Sequence, residues 1–233
     1  MNLIRKGTPP GPLTTYRFTP DRASDPPRAS RYNDDDQEFT VTVKPAMREA
    51  LVAEQRGVCC YCTDRIAATN VGMKIEHRVP QRGPAGDASR GLDWTNLLGA
   101  CCGVKPNPMD RGAMVLHCDS AKGEDPITLD PTNPSHMAAI GYRRSGHVTS
   151  TIPRHQSEID DVLRLNGEAL VDLRSRAVDA LRTELGLTHD ARSLPKAKLQ
   201  KLLAETNNPS GQQLRPFSGF LCWWLERAIR KAG

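Results

Sequence analysis

At 233 residues, with 38% hydrophobic and only 5% aromatic side chains, the chain can bury a core of its own but is lean in apolar mass, so part of it is expected as loop or arm. No apolar run approaches the ~20 residues of a bilayer span, and MNLIRKGTPPGP lacks the apolar stretch of a signal peptide, so a cytoplasmic chain without a spanning helix is expected. The formal net charge of +5 is spread along the chain, with 7 basic and 6 acidic residues in 1–45, 12 and 11 in 46–153, and 13 and 10 in 154–233. With no polybasic tail, a nucleic-acid partner has to be argued from a site.

Residues 1–44 are rich in Pro, Arg and Asp. TPPGP and DPPR mark turns and DDDQE a solvated acidic run, so this segment is expected as an extended N-terminal arm. From Pro45, PAMREALVAEQRG puts Met47, Leu51 and Val52 on one helical face and stops at Gly57, which predicts a short helix feeding into CCYC. MKIEHRVP reads as a strand that ends in a carboxylate and an imidazole before Pro80. QRGPAGDASRG is turn-rich, and DWTNLLGACC predicts a short helix capped by Asp93 that carries Trp94, Leu97 and Leu98 inward. GVKPNPMDRGAMV is expected as loop with a strand at its end, and GYRRSGHVTSTI as a hairpin turning near Ser145 and Gly146. Beyond Pro153 the pattern turns helical: Ile159, Val162, Leu163, Leu170, Leu173, Val178 and Leu181 fall at helical intervals, and FSGFLCWWLERAIRKAG forms a last amphipathic helix with Cys222 in its apolar stripe. The reading is therefore α+β: an arm over 1–44, a core over 45–153 and a helical region over 154–233.

Seven cysteines in a cytoplasmic chain are metal ligands or core residues before they are disulfides. Cys59 and Cys62 form a C-x-x-C that offers two thiolates from one tight turn, and Cys101 and Cys118 can complete a tetrahedral structural zinc. Cys60, Cys102 or His117 could stand in for one of these, and a metal-free cluster of reduced thiols is the competing reading. A redox C-x-x-C is disfavoured, because no βαβ pattern surrounds it.

Glu76 and His77 lie between the two halves of this framework. Asn96 follows, and then His117, Cys118, Asp119 and Lys122. Hydrolysis of a phosphodiester needs a base that works near neutral pH, for which His77 is suited. It also needs a hard cation such as Mg2+ or Mn2+ on oxygen ligands, for which Glu76 and Asp119 are suited. Neighbouring side chains on a strand point to opposite faces, so the two can share a site only where the strand ends and twists.

The text C-C-Y-C, I-E-H-R-V-P, N-L-L-G-A-C and H-C-D-S-A-K-G resembles the HNH endonuclease family. The segments I-R-K-G-T-P-P-G-P-L-T-T-Y-R, L-R-L-N-G-E-A-L-V-D-L-R-S-R and D-P-T-N-P extend the likeness to the HNH nuclease subunit of Septu-type and retron-associated bacterial anti-phage defence systems, over roughly residues 1 to 182. The resemblance implies a zinc-stabilised ββα-metal core, His77 as general base, and Asn96 bonding backbone across the turn to orient it. Glu76 and Asp119 would hold the catalytic cation. It also implies DNA as substrate and an ABC/SMC-type ATPase as partner. Asp119 stands where relatives carry His or Asn, a departure that bears on the metal-ligand set. His117 is then a donor behind the ligands or a substitute for one, and Lys122 a phosphate contact or a solvent-facing residue. The competing function is a zinc-stabilised nucleic-acid- or protein-binding module with an inert acid–imidazole pair, such as an inactive scaffold for an ATPase.

Overall fold

Pro10 and Pro12 set the backbone φ that starts a helix and lack an N–H that would have no partner there. In the computed structural model the first helix, α1, follows at Gly11–Phe18, with Leu13 and Tyr16 buried. The structure describes residues 1–19, 32, 36–106, 113–186, 194–207 and 213–232. The DPPR turn, the aspartates at 34 and 35, the middle of the GVKPNPMDRGAMV loop and His189 lie outside the described residues.

The N-terminal segment is not an extended arm throughout. Asp36 accepts hydrogen bonds from the amides of Glu38 and Phe39 and from the Tyr16 hydroxyl, and so caps a run of wide turns over Phe39–Val43 that passes directly into α2, Lys44–Glu54. Phe39, Val43, Met47 and Leu51, four residues apart, are all buried. One continuous helical stripe therefore begins inside the segment expected as arm. Met1 and Ile4 are buried too, and Lys6 bonds Glu54 and the Leu97 carbonyl while lying over the Trp94 ring.

Beyond the cysteine turn, β1 (Lys74–His77) pairs antiparallel with β2 (Leu97–Ala100), with Glu76 opposite Leu98 and His77 opposite Leu97. The helix expected after Asp93 is a single tight turn, Trp94–Asn96, capped by Asp93 through the Thr95 amide. Leu97 and Leu98 belong to a strand. All four residues of β2 are buried, and a strand covered on both faces loses the alternation that would mark it. β3 (Val104–Pro106) and β4 (Met114–Leu116) form a second two-stranded sheet, and α3 (Asp119–Lys122) follows.

α4 (Pro134–Ala138) leads into the expected hairpin, β5 (Ile140–Tyr142) with β6 (Val148–Ser150). Gly146 turns it at φ +90°, where a Cβ would lie 2.9 Å from the Val171 carbonyl oxygen. α5 (Pro153–Ser157) runs into wide turns over Glu158–Val162, then α6 (Glu168–Glu184), α7 (Lys196–Asn207) and α8 (Ser218–Lys231) complete the chain. The helical pattern expected across 157–186 breaks before α6. The Asn166 side chain accepts from the Val148 amide at 2.7 Å and donates to the Val148 carbonyl at 2.9 Å, which pulls the chain onto β6.

The main core joins α1, α2, the cysteine turn, β1 and β2 to the turns after α5. A second cluster, including Val178, Leu181, Leu199, Leu221 and Leu225, belongs to α6, α7 and α8. Gln55, just past α2, fastens the first core to β2: its Oε1 accepts from the Gly99 amide at 2.6 Å, and its Nε2 donates to the carbonyls of Gly99 and Val58 at 2.7 and 2.9 Å. Gln55→Leu would remove all three bonds, leaving the Gly99 carbonyl only the Cys60 amide at 3.0 Å, and should cost about 2–3 kcal/mol, or roughly 5–10 °C in Tm. An unchanged melting curve would mean that the β2 backbone does not depend on Gln55.

Candidate metal centre and acid–imidazole cleft

Four cysteines from three separate stretches meet in the main core. Cys59 and Cys62 come from the turn after α2, where the Thr63 amide bonds the Cys59 carbonyl and the Asp64 amide points at the Cys62 sulfur at 3.4 Å. Cys101 directly follows β2 and Cys118 directly precedes α3. The last two are joined through Gly103, whose carbonyl accepts from the His117 amide at 2.8 Å. At φ +67° any Cβ on Gly103 would lie 2.3 Å from the His117 oxygen, so only glycine allows this approach.

The four sulfurs all lie within 4.8 Å of one another, with Cys59–Cys118 at 3.9 Å and Cys62–Cys101 at 3.6 Å. A tetrahedral zinc with ~2.3 Å bonds to sulfur needs thiolates about 3.8 Å apart. The group can therefore hold a metal ion such as zinc. Its protonation points the same way: burial opposes ionisation, yet hydrogen bonds from the surrounding thiols hold Cys59 well below the usual thiol range. Burial and the neighbouring sulfurs push Cys118 well above it. A divalent ion is what lets clustered thiols ionise together in a buried site.

Cys60 and Cys102 stand outside the group, the latter bonding the Val71 carbonyl. His117 also lies outside the four-sulfur group, with its Nδ1 3.2 Å from the Cys118 sulfur and its buried Nε2 without a hydrogen-bond partner among the described residues. Cys118 itself takes φ +55°, a conformation costly for an L-residue and one that persists only where its surroundings fix it. Its amide bonds the Leu163 carbonyl and its own carbonyl accepts from Ala121 and Lys122, so the sulfur cluster, α3 and the turns after α5 converge on this residue.

The cysteine cluster thereby sets where α3 begins. Asp119, its first residue, faces Glu76 and His77 across a cleft of about 450 Å³ also lined by Tyr32, Gln81 and Arg82. Glu76 and His77 line one site because β1 stops at His77 and the chain bends away. Asn96 holds that bend: its Oδ1 accepts from the Val79 amide at 2.8 Å, and its Nδ2 donates to the carbonyls of Val79 and Arg90 at 3.1 and 3.3 Å.

His77 Nε2 lies 2.9 Å from the Gly91 carbonyl. A carbonyl can only accept, so Nε2 carries the proton and Nδ1 keeps its lone pair, which faces the Gln81 amide nitrogen at 3.3 Å. Burial holds the imidazole below its ordinary range and Lys122 adds to this, against the opposing effect of the Gly91 carbonyl. The ring is a neutral base near neutral pH. Tyr32 packs edge-on against it at 4.8 Å.

Glu76 is buried. The Tyr61 hydroxyl donates to its Oε1 at 2.7 Å and Lys122 Nζ lies 3.1 Å away. Burial, followed by interaction with the Asp119 carboxyl, pushes Glu76 well above the usual carboxylate range, against the pull of Lys122 and Tyr61. A buried carboxyl facing a second one is the arrangement a hard cation relieves. Lys122 corrects one of two expectations: its side chain is 1% exposed and bonds Glu76 and the carbonyls of His77 and Gly123, so it does not face solvent. Asp119 also pairs with Lys74 at 3.3 Å.

Tyr32, Tyr61 and Gln81 escaped the sequence reading. Tyr61 carried a signal, since a phenol inside a cysteine turn is buried and its hydroxyl needs a partner. Tyr32 and Gln81 carried none. No helix among the described residues is long and apolar enough to cross a membrane. No protein-family model matches the chain, and no curated protein does.

Replacing Cys62 or Cys118 with Ser should abolish zinc binding as read by elemental analysis and lower Tm by roughly 10 °C or more, since metal affinity of this kind is folding free energy. Cys102→Ser should change neither. Full stability of Cys118→Ser would contradict a metal-dependent scaffold.

Proposed function

We propose that the chain is a metal-dependent endonuclease of the HNH type that hydrolyses phosphodiester bonds of DNA. The observation that carries this reading is the convergence of Glu76, His77 and Asp119 on one open cleft, at the exit of a hairpin held by Asn96. The antiparallel pair β1–β2 followed, after the β3–β4 insertion, by the short helix α3 suits a ββα-metal core, and the four cysteines suit a structural zinc that braces it.

In this reading His77 Nδ1 takes the proton of the attacking water, whose oxygen forms the new bond to phosphorus while the bond to the leaving sugar oxygen breaks. Nε2, fixed on the Gly91 carbonyl, keeps the tautomer correct. Asn96 acts through the backbone, holding the turn that aims the imidazole. Glu76 and Asp119 would hold Mg2+ or Mn2+, which supplies charge neutralisation on the phosphate and the leaving oxygen. Lys122 and Tyr61 orient the Glu76 carboxylate from behind. The sequence resemblance extends the proposal to a cytoplasmic effector of an anti-phage complex that works with an ABC/SMC-type ATPase.

One observation favours a second reading, an inactive scaffold or binding module. The Lys122 ammonium already faces Glu76, and Gln81 already faces His77 Nδ1.

Cleavage of supercoiled plasmid in Mg2+ or Mn2+ separates the two. His77→Ala should slow cleavage by about 10²–10⁴-fold with zinc content and Tm intact, and Asp119→Asn should raise the concentration of divalent cation required. Wild-type protein that never cleaves with either cation, alone or with an ATPase partner, leaves the scaffold reading.

A further inference from the structure

The bend that ends β1 is bonded by the walls of its own cleft. The His77 carbonyl accepts from Lys122 Nζ at 3.1 Å and the Arg78 amide donates to the Asn96 carbonyl at 3.0 Å, so the peptide joining His77 to Arg78 is held at both ends. The Arg78 side chain reaches elsewhere. It does not line the cleft, and its Nε lies 3.3 Å from Asp130 Oδ2, the two side chains being 20% and 19% exposed. Asp130 is itself fixed: its Oδ1 accepts from the Thr132 amide at 2.8 Å and hydroxyl at 2.7 Å, and its amide donates to His136 Nδ1 at 3.2 Å. Just before it, the amides of Thr128 and Leu129 each donate to the Glu158 carboxylate at 2.8 Å, and just after it the Pro131 carbonyl accepts from the Ile4 amide at 2.9 Å. The N-terminal segment, α4 and the turns after α5 thus all hold the strip of chain that offers a carboxylate oxygen to Arg78. Leu129 is buried in the main core, so the ion pair ties the bend to that core.

We propose that Arg78, anchored on Asp130, is a positioning residue that keeps the His77 imidazole aimed into the cleft. Its effect on cleavage rests on the nuclease reading; its effect on the ring does not. An arginine next to a reactive cleft suits a substrate phosphate, but this guanidinium is engaged by a carboxylate and lies outside the lining. A partly exposed ion pair adds little to stability. Its value is in alignment: the imidazole sits one residue from the tether, and a misplacement of about an ångström costs up to about 10²-fold in rate.

Nitrogen-15 NMR of the histidine rings and plasmid cleavage, both on the full chain, test this. The parent should show His77 as one tautomer, with its proton on Nε2. Arg78→Met and Asp130→Asn should each broaden or average these signals, and Arg78→Lys, which keeps a cation for Asp130, should restore them in part. With a parent that cleaves, Arg78→Met and Asp130→Asn should lower kcat about tenfold or more and leave KM within about twofold. Asp130→Asn keeps an acceptor for Thr132, so it decides if Arg78→Met fails to fold. A parent that never cleaves ends the nuclease reading and leaves the ring signals to judge the tether. A parent ring that already averages, His77 signals unchanged in both variants, or a raised KM with kcat intact, the mark of a phosphate contact, would each overturn the proposal.

Discussion

The meeting of four sulfurs is the constraint on which the rest of the structure depends. One pair comes from a turn after α2, the third follows β2, and the fourth opens α3. Drawing them within 4.8 Å fixes the hairpin against the helix start with no long helix or large sheet in the core of the site. The three described sheets have two strands each, too few to be stable alone in water. Because Cys118 is both ligand candidate and N-cap of α3, the position of Asp119 opposite Glu76 follows from the sulfur geometry.

Inside that frame the Glu76–Lys122 pair is an investment in position more than in stability. Both side chains are almost fully buried, at 2% and 1% exposure, and desolvating such a pair offsets most of its attraction. Its geometry explains why it persists. Lys122 also bonds the His77 carbonyl, and Tyr61, from within the cysteine turn, bonds the same Glu76 oxygen. Strand, helix and sulfur turn therefore all fix one carboxylate, while Asn96 fixes the backbone beyond the neighbouring imidazole. Rigidity at this point suits chemistry that fails if a group drifts by about an ångström.

Much of this was legible in the sequence, and the failures have physical causes. The C-x-x-C turn, the α2 stripe, the β5–β6 turn and the amphipathic α8 announce themselves through local spacing. The four clustered cysteines were nameable because thiols have few other roles in such a chain. Leu97 and Leu98 read as helical because β2 is buried on both faces and shows no alternation. The α6 boundary was hidden because a long-range bond from Asn166 to Val148 sets it. Residues 1–44 looked extended because proline content masks a stripe that starts at Phe39. Lys122 read as a phosphate contact or a solvent-facing lysine because its spacing gives no hint that a buried glutamate awaits it. Tyr32 and Gln81 reach the imidazole only through tertiary packing.

X-ray absorption at the zinc edge on the purified full chain tests the account at its root. Four sulfur scatterers at about 2.3 Å are the expected first shell. A shell containing nitrogen or oxygen, or a folded chain that carries no zinc, would contradict the claim that these thiolates share one ion and set the start of α3.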